Sequence, residues 1–250
     1  MEQRPYPATN YLGYRPSRNP YAEKYLLLPK DHAPTAFSCH DTEGFRGRWR
    51  EFFGAKANQR IHLEVGCYHG ESLVEMAERN PEEFFIGVEW KFREAYKAVE
   101  KSIKRNLKNL VFLRANVARL PWIFTPGEID RAWILFPDPW PKTGQQKWRT
   151  LHADFFRSLA LLLEPGKEVL VKTDDSDYAA FISRELRDAN AFDPLPEELS
   201  IPIWQSFPPT PFEKIFFRNN APTFSFSLAR NANLIVPPAP VAKQFVFPIN

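Results

Sequence analysis

The sequence predicts an α/β protein with a mostly parallel, doubly wound sheet and an antiparallel hairpin at one edge. From about residue 46 to residue 189, short apolar runs alternate with longer stretches of helical period. Strands that alternate with helices of this length form βαβ units, in which the strands are parallel. Beyond residue 207 two β-rich segments follow each other, which is typical of a hairpin.

Each element follows from its local pattern. Five short apolar runs predict the parallel strands, at 61–65, 84–88, 110–113, 131–135 and 168–172. Apolar residues at helical spacing predict the helices, at 72–79, 92–107, 152–163 and 177–189. Pro165 and Gly166 end the third of these helices. The segments 212–217 and 223–228 predict the two strands of the hairpin.

Composition bounds the class of protein. The 250 residues are 44% hydrophobic and 25% charged, with a net charge of +3, as in an ordinary globular protein. Cys39 and Cys67 form no disulfide framework and match no metal-ligand spacing. The chain opens without a basic-then-apolar leader, and residues 234–241 are too short and proline-rich to span a bilayer. We therefore expect a cytoplasmic protein with neither a metal nor a membrane partner.

The prolines divide the chain into three parts. They cluster near both ends, which predicts an N-terminal arm at 1–45, a central domain at 46–230 and a C-terminal tail at 231–250. The arm mixes tyrosines with arginines and lysines, a composition that could stack on RNA. The alternative, which we favour, is that the arm packs its tyrosines on the core.

The first three strand ends carry residues suited to a nucleoside cofactor. Gly66 and Gly70 follow the first strand, where a backbone without side chains lets a ligand approach the next helix. Glu89 ends the second strand, the usual place for an acid that accepts ribose hydroxyls. Asn116 follows the third strand and could bond an adenine edge. The G-x-G-x-x-G spacing of dinucleotide sites is absent, and Glu64 just before Gly66 favours a cationic ligand such as S-adenosyl-methionine.

The most informative segment follows the fourth strand. Phe136-Pro137-Asp138-Pro139-Trp140-Pro141-Lys142 sets one carboxylate among three prolines and two aromatic rings. Proline fixes φ and removes a backbone donor, so Asp138 should be held in one place beyond the strand. Such an acid suits a flat, partly cationic substrate such as a purine base. The alternative is that Asp138 only caps its own turn.

Three motifs in order carry a resemblance to a known family. They are the Asp138 segment, Lys172-Thr173-Asp174, and Thr210-Pro211-Phe212-Glu213-Lys214. Over residues 61 to about 228 the chain resembles the bacterial tRNA (guanine-N7)-methyltransferases, which are Rossmann-like class I enzymes dependent on S-adenosyl-methionine. The resemblance implies methylation of guanosine N7 in the tRNA variable loop, at position 46. The sequence leaves open whether the protein is a monomer or a homodimer.

The resemblance also implies roles for individual residues. Asp138 becomes the catalytic residue and also a cofactor contact, because a carboxylate stabilises the cationic ring that N7 methylation produces. Lys142, Lys147 and Arg149 become RNA contacts, which agrees with their place beside Trp140 and Trp148. Substrate binding is implied for a further set: Asp174, Thr210 and Glu213. On local sequence alone, Lys147 and Arg149 could be solvated charges, and Asp174 could be a helix N-cap.

Two positions depart from the family pattern. Tyr68 stands where the family usually has a glycine, and Phe212 where it tends to have a tyrosine. If the missing glycine had a positive φ, a tyrosine costs about 1–2 kcal/mol there. Tyr68 therefore leaves open a non-catalytic RNA-binding descendant that has lost its cofactor. A methyltransferase with a non-RNA substrate is a separate alternative hypothesis, against which the basic loop from Lys142 to Arg149 argues.

Overall fold

The computed structural model describes residues 19–28, 36–37 and 44–232. Within these ranges the α-helices are α1 Pro20–Leu26, α2 Trp49–Phe53, α3 Glu71–Arg79, α4 Phe92–Lys104, α5 Leu120–Ile123, α6 Ala153–Leu161, α7 Ser176–Ala189, α8 Glu197–Ser206 and α9 Pro211–Arg218. The strands are β1 Ala36–Phe37, β2 Ile61–Val65, β3 Phe84–Glu89, β4 Leu110–Arg114, β5 Ile129–Leu135, β6 Leu163–Thr173, β7 Phe192–Pro194 and β8 Phe224–Arg230. Two 3₁₀ turns lie at Val117–Arg119 and Thr143–Trp148.

The described strands form one sheet in the order β1-β4-β3-β2-β5-β6-β8-β7. Strands β1 to β6 pair in parallel, and β8 pairs antiparallel with both β6 and β7. The chain order reverses between β2 and β5, because β3 and β4 lie on one side of β2 and β6 lies on the other. Ligands of open α/β sheets bind at such a switch point, beyond the carboxyl ends of the strands.

Both faces of the sheet are buried. On β2, Ile61, Leu63 and Val65 contribute to one hydrophobic cluster, whereas Phe85 of β3 and Trp133 of β5 belong to the cluster on the opposite face. Successive residues of a strand point to opposite faces, so near-continuous apolar strands require a cover of helices on each side. The predicted α/β, mostly parallel, doubly wound class is confirmed.

The antiparallel edge is confirmed, but the segment predicted to form half of the hairpin is a helix. Residues 212–217 lie in α9, and β8 finds its outer partner in β7 instead. The reason is local: Thr210 is the N-cap, its Oγ1 accepts the Glu213 N–H at 3.0 Å, and Pro211 occupies the first helical position. Ser/Thr-x-x-Glu with a proline after the cap is a helix start, and here this signal prevails over the apolar run.

The described part of the N-terminal arm contacts the domain. Tyr25 of α1 is buried, and its hydroxyl accepts the backbone N–H of Arg114 at 3.1 Å. The ring of Tyr21 lies 5.7 Å from that of Tyr96 on α4. These two tyrosines pack on the core as expected, whereas the remaining tyrosines of the predicted arm and residues 233–250 of the predicted tail lie outside the described residues. Across the described ranges, no helix is both long and apolar enough to cross a membrane.

Candidate cofactor and substrate site

The glycine loop after β2 forms the floor of the candidate site. Gly66 has a φ of 77°, and its N–H donates to the Val88 carbonyl oxygen at 2.8 Å. A Cβ at Gly66 would meet no atom of the described residues within 4 Å, so one side of this backbone is open for a ligand. Gly70 has another task, because a Cβ there would lie 2.4 Å from Cζ of the buried Phe112. Gly70 therefore allows the loop to pack closely against Phe112 of β4, and its predicted role in cofactor binding stays a prediction.

Tyr68 occupies the position where the resemblance leads one to expect a glycine, and its φ is 51°. A left-handed backbone is uncommon for an aromatic residue and costs conformational energy. The Tyr68 N–H donates to Glu89 Oε2 at 3.1 Å, which connects the loop to the end of β3. The Tyr68 ring stacks on His69 and lies 5.4 Å from the ring of Phe212. The missing glycine is thus replaced by a strained residue whose ring reaches α9.

Glu64, the acid before Gly66, is buried on β2. Its side chain is 5% exposed, and Oε2 has no hydrogen-bond partner within the described residues. Burial, together with the neighbouring charges of Glu71 and Glu89, raises the pKa of Glu64 to about 8. A buried carboxyl with an unused oxygen is costly unless a ligand satisfies it, which favours a cationic ligand at this point.

Glu89 and Asn116 end β3 and follow β4, as the sequence predicts. The Glu89 oxygens accept the N–H groups of Tyr68 and Lys91 at 3.1 and 2.8 Å, and burial raises the pKa of Glu89. A carboxylate oxygen has two lone pairs, so both oxygens keep capacity for ribose hydroxyls. Asn116 Oδ1 accepts the Ala118 N–H at 2.9 Å and caps the first 3₁₀ turn. Its amide NH₂ group is the part suited to a base.

A cavity beside the glycine loop is also lined by the start of α9. Besides Glu64, Gly66 and Tyr68, it is lined by Cys67, Glu71, Ser72, Leu135, Thr210, Pro211 and Phe212. Two segments more than 130 residues apart in the chain, the glycine loop and the start of α9, therefore face the same space. Among the described residues no cluster of His, Cys, Asp and Glu could hold a metal ion.

The turn after β5 presents Asp138 to solvent. Asp138 is exposed, and the turn around it contains two residues with positive φ, Phe136 at 50° and Trp140 at 45°. The Phe136 N–H donates to the Lys172 carbonyl oxygen at 2.7 Å. This bond ties the turn to the neighbouring strand end, which continues to Asp174. The predicted turn is present, with strained backbone on both sides of Asp138; that it holds Asp138 in one place stays a prediction.

The three predicted RNA contacts have different environments. Lys142 and Lys147 are exposed, and Lys147 Nζ lies 5.7 Å from the ring of Trp148, which is itself 52% exposed. Arg149 is only 4% exposed, and its Nε donates to the Pro139 carbonyl oxygen at 2.8 Å. Arg149 thus lies behind the Asp138 turn, whereas the sequence suggested a position on the exposed loop.

The predicted substrate residues of β6 and α9 are brought to the same edge of the sheet. Asp174 is exposed and is not the N-cap of α7. That role belongs to Asp175, whose Oδ1 accepts the Tyr178 N–H at 2.7 Å. Thr210 is buried as the N-cap of α9, and Glu213 Oε1 accepts a hydrogen bond from Lys172 Nζ at 2.6 Å. The sequence analysis quoted Lys172 only within a motif and gave it no role, although a lysine directly after three apolar strand residues is unusual enough to notice. The structure pairs it with Glu213.

Known proteins match the central part of this chain. The tRNA (guanine-N(7)-)-methyltransferase of Geobacillus kaustophilus is 36% identical over 138 residues, which cover 55% of this chain and 63% of that protein. The corresponding protein of Lachnoclostridium phytofermentans is 34% identical over 60% of this chain and 69% of its own. A family model described as "Putative methyltransferase" matches residues 58–226. The chain belongs to the tRNA (guanine-N7)-methyltransferase family. It aligns with somewhat less than two thirds of the first of these relatives.

Solved structures support the same fold. A methyltransferase described as antibiotic-related superposes with a TM-score of 0.50 at 21% identity, over 72% of this chain and 92% of that one. The 16S rRNA methyltransferase KamB superposes with a TM-score of 0.51 at 15% identity, over 78% and 94%. At these identities the likeness concerns the fold alone, and it confirms the class I methyltransferase architecture.

The residues present fit the methyl donor that membership of this methyltransferase family implies. S-adenosyl-methionine carries two cationic groups, a sulfonium and an amino group. The buried oxygen of Glu64 that has no partner among the described residues could accept a hydrogen bond from such a cation. The open side of Gly66 leaves room for a ligand against the backbone. Glu89 at the end of β3 offers acceptors for a ribose. The roles of individual residues in binding stay predictions.

Proposed function

We propose that this protein transfers a methyl group from S-adenosyl-methionine to N7 of guanosine in tRNA. The observation that carries the proposal is the pairing of two acidic strand ends, at Asp138 and Asp174, tied together by the bond from Phe136 N–H to the Lys172 carbonyl. The cavity that Glu64 lines is also lined by Leu135, the last residue of β5, which directly precedes the Asp138 turn. In the proposal the methylated guanosine lies in the variable loop of the tRNA. The enzyme is a monomer or homodimer and acts in the cytoplasm.

On the cofactor side, the protein's task is to hold a cation. S-adenosyl-methionine supplies an electrophilic methyl group on a sulfonium. Glu64 would accept from its amino group, the Gly66 backbone would lie against it, and Glu89 would accept its ribose hydroxyls. Asn116 would donate to the adenine edge. These roles agree with the burial of Glu64 and with the open face of Gly66.

On the substrate side, alignment matters more than proton transfer. Guanine N7 has a free lone pair and no proton, so the attack requires no general base. The product ring is cationic, and a carboxylate held beside it stabilises the charge as it develops. Asp138 has this task in the proposal, and Asp174 accepts hydrogen bonds from the guanine edge. The strained turn of Asp138 supports the assignment, because strain of this kind clusters at functional sites.

The tRNA backbone would be held by exposed cations near the turn. Lys142 and Lys147 are exposed beside Trp140 and Trp148, whose rings lie 5.1 Å apart. Cations neutralise phosphates, and an exposed indole can stack on an unpaired base. Thr210 and Glu213 would complete the substrate side, with Glu213 held in place by Lys172.

The decisive experiment incubates the purified protein with labelled S-adenosyl-methionine and unmodified tRNA, followed by nucleoside analysis. We expect 7-methylguanosine from the wild-type protein and none from D138A. The matched control is D188A, which removes an exposed acid on α7 away from the strand ends and should keep full activity. A different methylated nucleoside would contradict the substrate, and a fully active D138A protein would contradict the role of Asp138.

A second candidate function follows from Tyr68. Because its backbone is strained and its ring reaches Phe212 across the cavity, the protein could be an RNA-binding descendant that does not use the cofactor. Calorimetry separates the two functions. Micromolar binding of S-adenosyl-methionine excludes the descendant, whereas tRNA binding without cofactor binding or label transfer supports it.

A further inference from the structure

Arg149 is enclosed by aromatic rings directly behind the Asp138 turn. The guanidinium carbon lies 5.0 Å from the ring centroid of Tyr178 and 4.9 Å from that of Phe181, both on α7. Its Nε donates to the Pro139 carbonyl oxygen at 2.8 Å. The second terminal nitrogen, Nη2, is buried and has no partner in the part of the chain that the structure describes.

The turn that Arg149 contacts requires an external support. Phe136 and Trp140, on either side of Asp138, have φ values of 50° and 45°. Such conformations persist only where the surrounding structure determines them. Pro139 has no N–H with which to close a turn, so its carbonyl oxygen is the group through which its backbone can be held. The Arg149 bond therefore acts on the residue next to Asp138.

The support is itself anchored on α7. The Tyr178 hydroxyl accepts the Leu151 N–H at 3.3 Å, and Asp175 Oδ1 accepts the Tyr178 N–H at 2.7 Å. Asp175 directly follows Asp174, the acid at the end of β6. One chain of contacts thus leads from the Asp138 turn through Arg149 and Tyr178 to the neighbouring acidic strand end.

An RNA contact explains this arrangement poorly. A guanidinium that neutralises a phosphate has to reach solvent, and Arg149 is 4% exposed. A planar cation between two rings that donates to a carbonyl is what a rigid support needs. We propose that Arg149 is a positioning residue, which holds the Asp138 turn in its productive conformation and does not touch the RNA. The proposal rests on the proposed methyl transfer and assigns it one further residue.

The test measures methyl transfer kinetics and tRNA binding for R149M, a variant that keeps the apolar stem and removes the guanidinium. A misplaced Asp138 should lower kcat about 10- to 100-fold. The KM for tRNA should stay at the wild-type value, as should the salt dependence of tRNA binding. Stoichiometric binding of S-adenosyl-methionine, measured by calorimetry, verifies that the variant is folded.

Two further variants calibrate this result. K147Q removes an exposed cation of the same loop and should show the opposite pattern, with a raised KM and a log–log salt slope reduced by about 0.7–0.9 if one phosphate contact is lost. R184M is the matched control, because the Arg184 guanidinium lies 4.9 Å from the same Phe181 ring and is exposed away from the turn. It should have wild-type kinetics.

The outcomes separate the possibilities. A raised KM and a reduced salt slope in R149M, with unchanged kcat, would overturn the proposal in favour of an RNA contact. If R149M does not bind the cofactor stoichiometrically, the same kinetics are measured on R149K, whose ammonium has no planar face for the rings. A lowered kcat at unchanged KM in R149K supports the positioning role. Wild-type kinetics in R149K contradict it. An inactive wild-type protein would contradict the proposed function. An active wild-type protein with an R149M variant of unchanged kcat would contradict only the role of Arg149.

Discussion

Lys172 Nζ lies 2.6 Å from Glu213 Oε1, and this ion pair joins the end of β6 to α9 across 41 residues of chain. Both side chains are largely buried, with 13% and 14% exposed, and the lysine also lies 4.3 Å from the ring of Trp204. The pair holds α9 where its first residues, Thr210 and Phe212, line the candidate cofactor cavity.

Removing one member of this pair should destabilise the protein strongly. K172M leaves the Glu213 carboxylate buried without its cation, and breaking a buried pair in this way costs about 3–5 kcal/mol. Urea denaturation measures the loss, and E197Q, which neutralises an exposed acid on α8, is the control. We expect the K172M/E213Q double variant to lose less than the sum of the two single losses. Additive losses would show that the pair does not couple β6 to α9.

Replacing Tyr68 with glycine should relieve the strained loop. At a φ of 51° glycine avoids the cost that a side chain incurs, so Y68G should gain about 1 kcal/mol of unfolding free energy. It should also bind S-adenosyl-methionine more tightly, because the ring is removed from the cavity. N190G changes another residue with a φ of 50°, at the end of α7, and should leave cofactor affinity unchanged. A weaker cofactor affinity in Y68G would instead show that the ring contributes to binding.

The raised pKa of the buried Glu64 carboxyl predicts that the stability of the protein depends on pH. The pKa of Glu64 is raised from 4.5 to about 8, mainly by burial, so between these values the folded protein binds a proton that the unfolded chain does not. Stability from this group is complete below pH 4.5 and is lost as the pH rises through 8. The E64Q variant cannot ionise at this position, so its unfolding free energy minus that of the wild type should increase as the pH rises. For E198Q, which changes an exposed acid, the same difference should stay constant with pH.

The same carboxyl predicts proton release on cofactor binding. A cationic ligand stabilises the ionised form of Glu64, so binding of S-adenosyl-methionine near pH 7 should expel a proton. Calorimetry in buffers of different ionisation enthalpy measures this release. Proton-neutral binding by the wild-type protein, or equal release by E64Q, would show that Glu64 does not meet the cation.

The two glycines of the loop should respond differently to alanine. In G70A the new Cβ would lie 2.4 Å from Cζ of the buried Phe112, an overpacking that costs about 1–3 kcal/mol in addition to the strain of a φ of 65°. In G66A the Cβ meets open space, so only backbone strain is added and the larger effect should fall on cofactor affinity. Thermal unfolding and calorimetry on both variants test the contrast. Equal losses of stability would contradict it.

Much of the site could be predicted because parallel strands bring their carboxyl ends to one edge. Glu89, Asp138 and Asp174 each follow an apolar run that is readable in the sequence, and the structure has β3, β5 and β6 at these places. The helix at 211–218 could have been read from its capping box, but an apolar run of this length suits either a strand or a helix.

Burial was the property that the sequence could not supply. Arg149 and Lys147 are two residues apart in one basic loop, yet one lies between the rings of α7 and the other in solvent. Their difference depends on where α7 packs, and α7 begins 27 residues later. Local pattern has no access to such contacts.

The sequence by itself determined the alternation of strands and helices, the mostly parallel sheet, and the set of acids and glycines at the strand ends, because each depends on residue spacing within one element. Only the tertiary structure decided that the start of α9 lines the cavity beside the glycine loop, that Lys172 pairs with Glu213, and that Arg149 bonds to the Asp138 turn. In each case the interacting residues are separated in the chain and become neighbours only through strand order and helix packing. The energy of a buried charge depends on such neighbours, so local sequence cannot supply it.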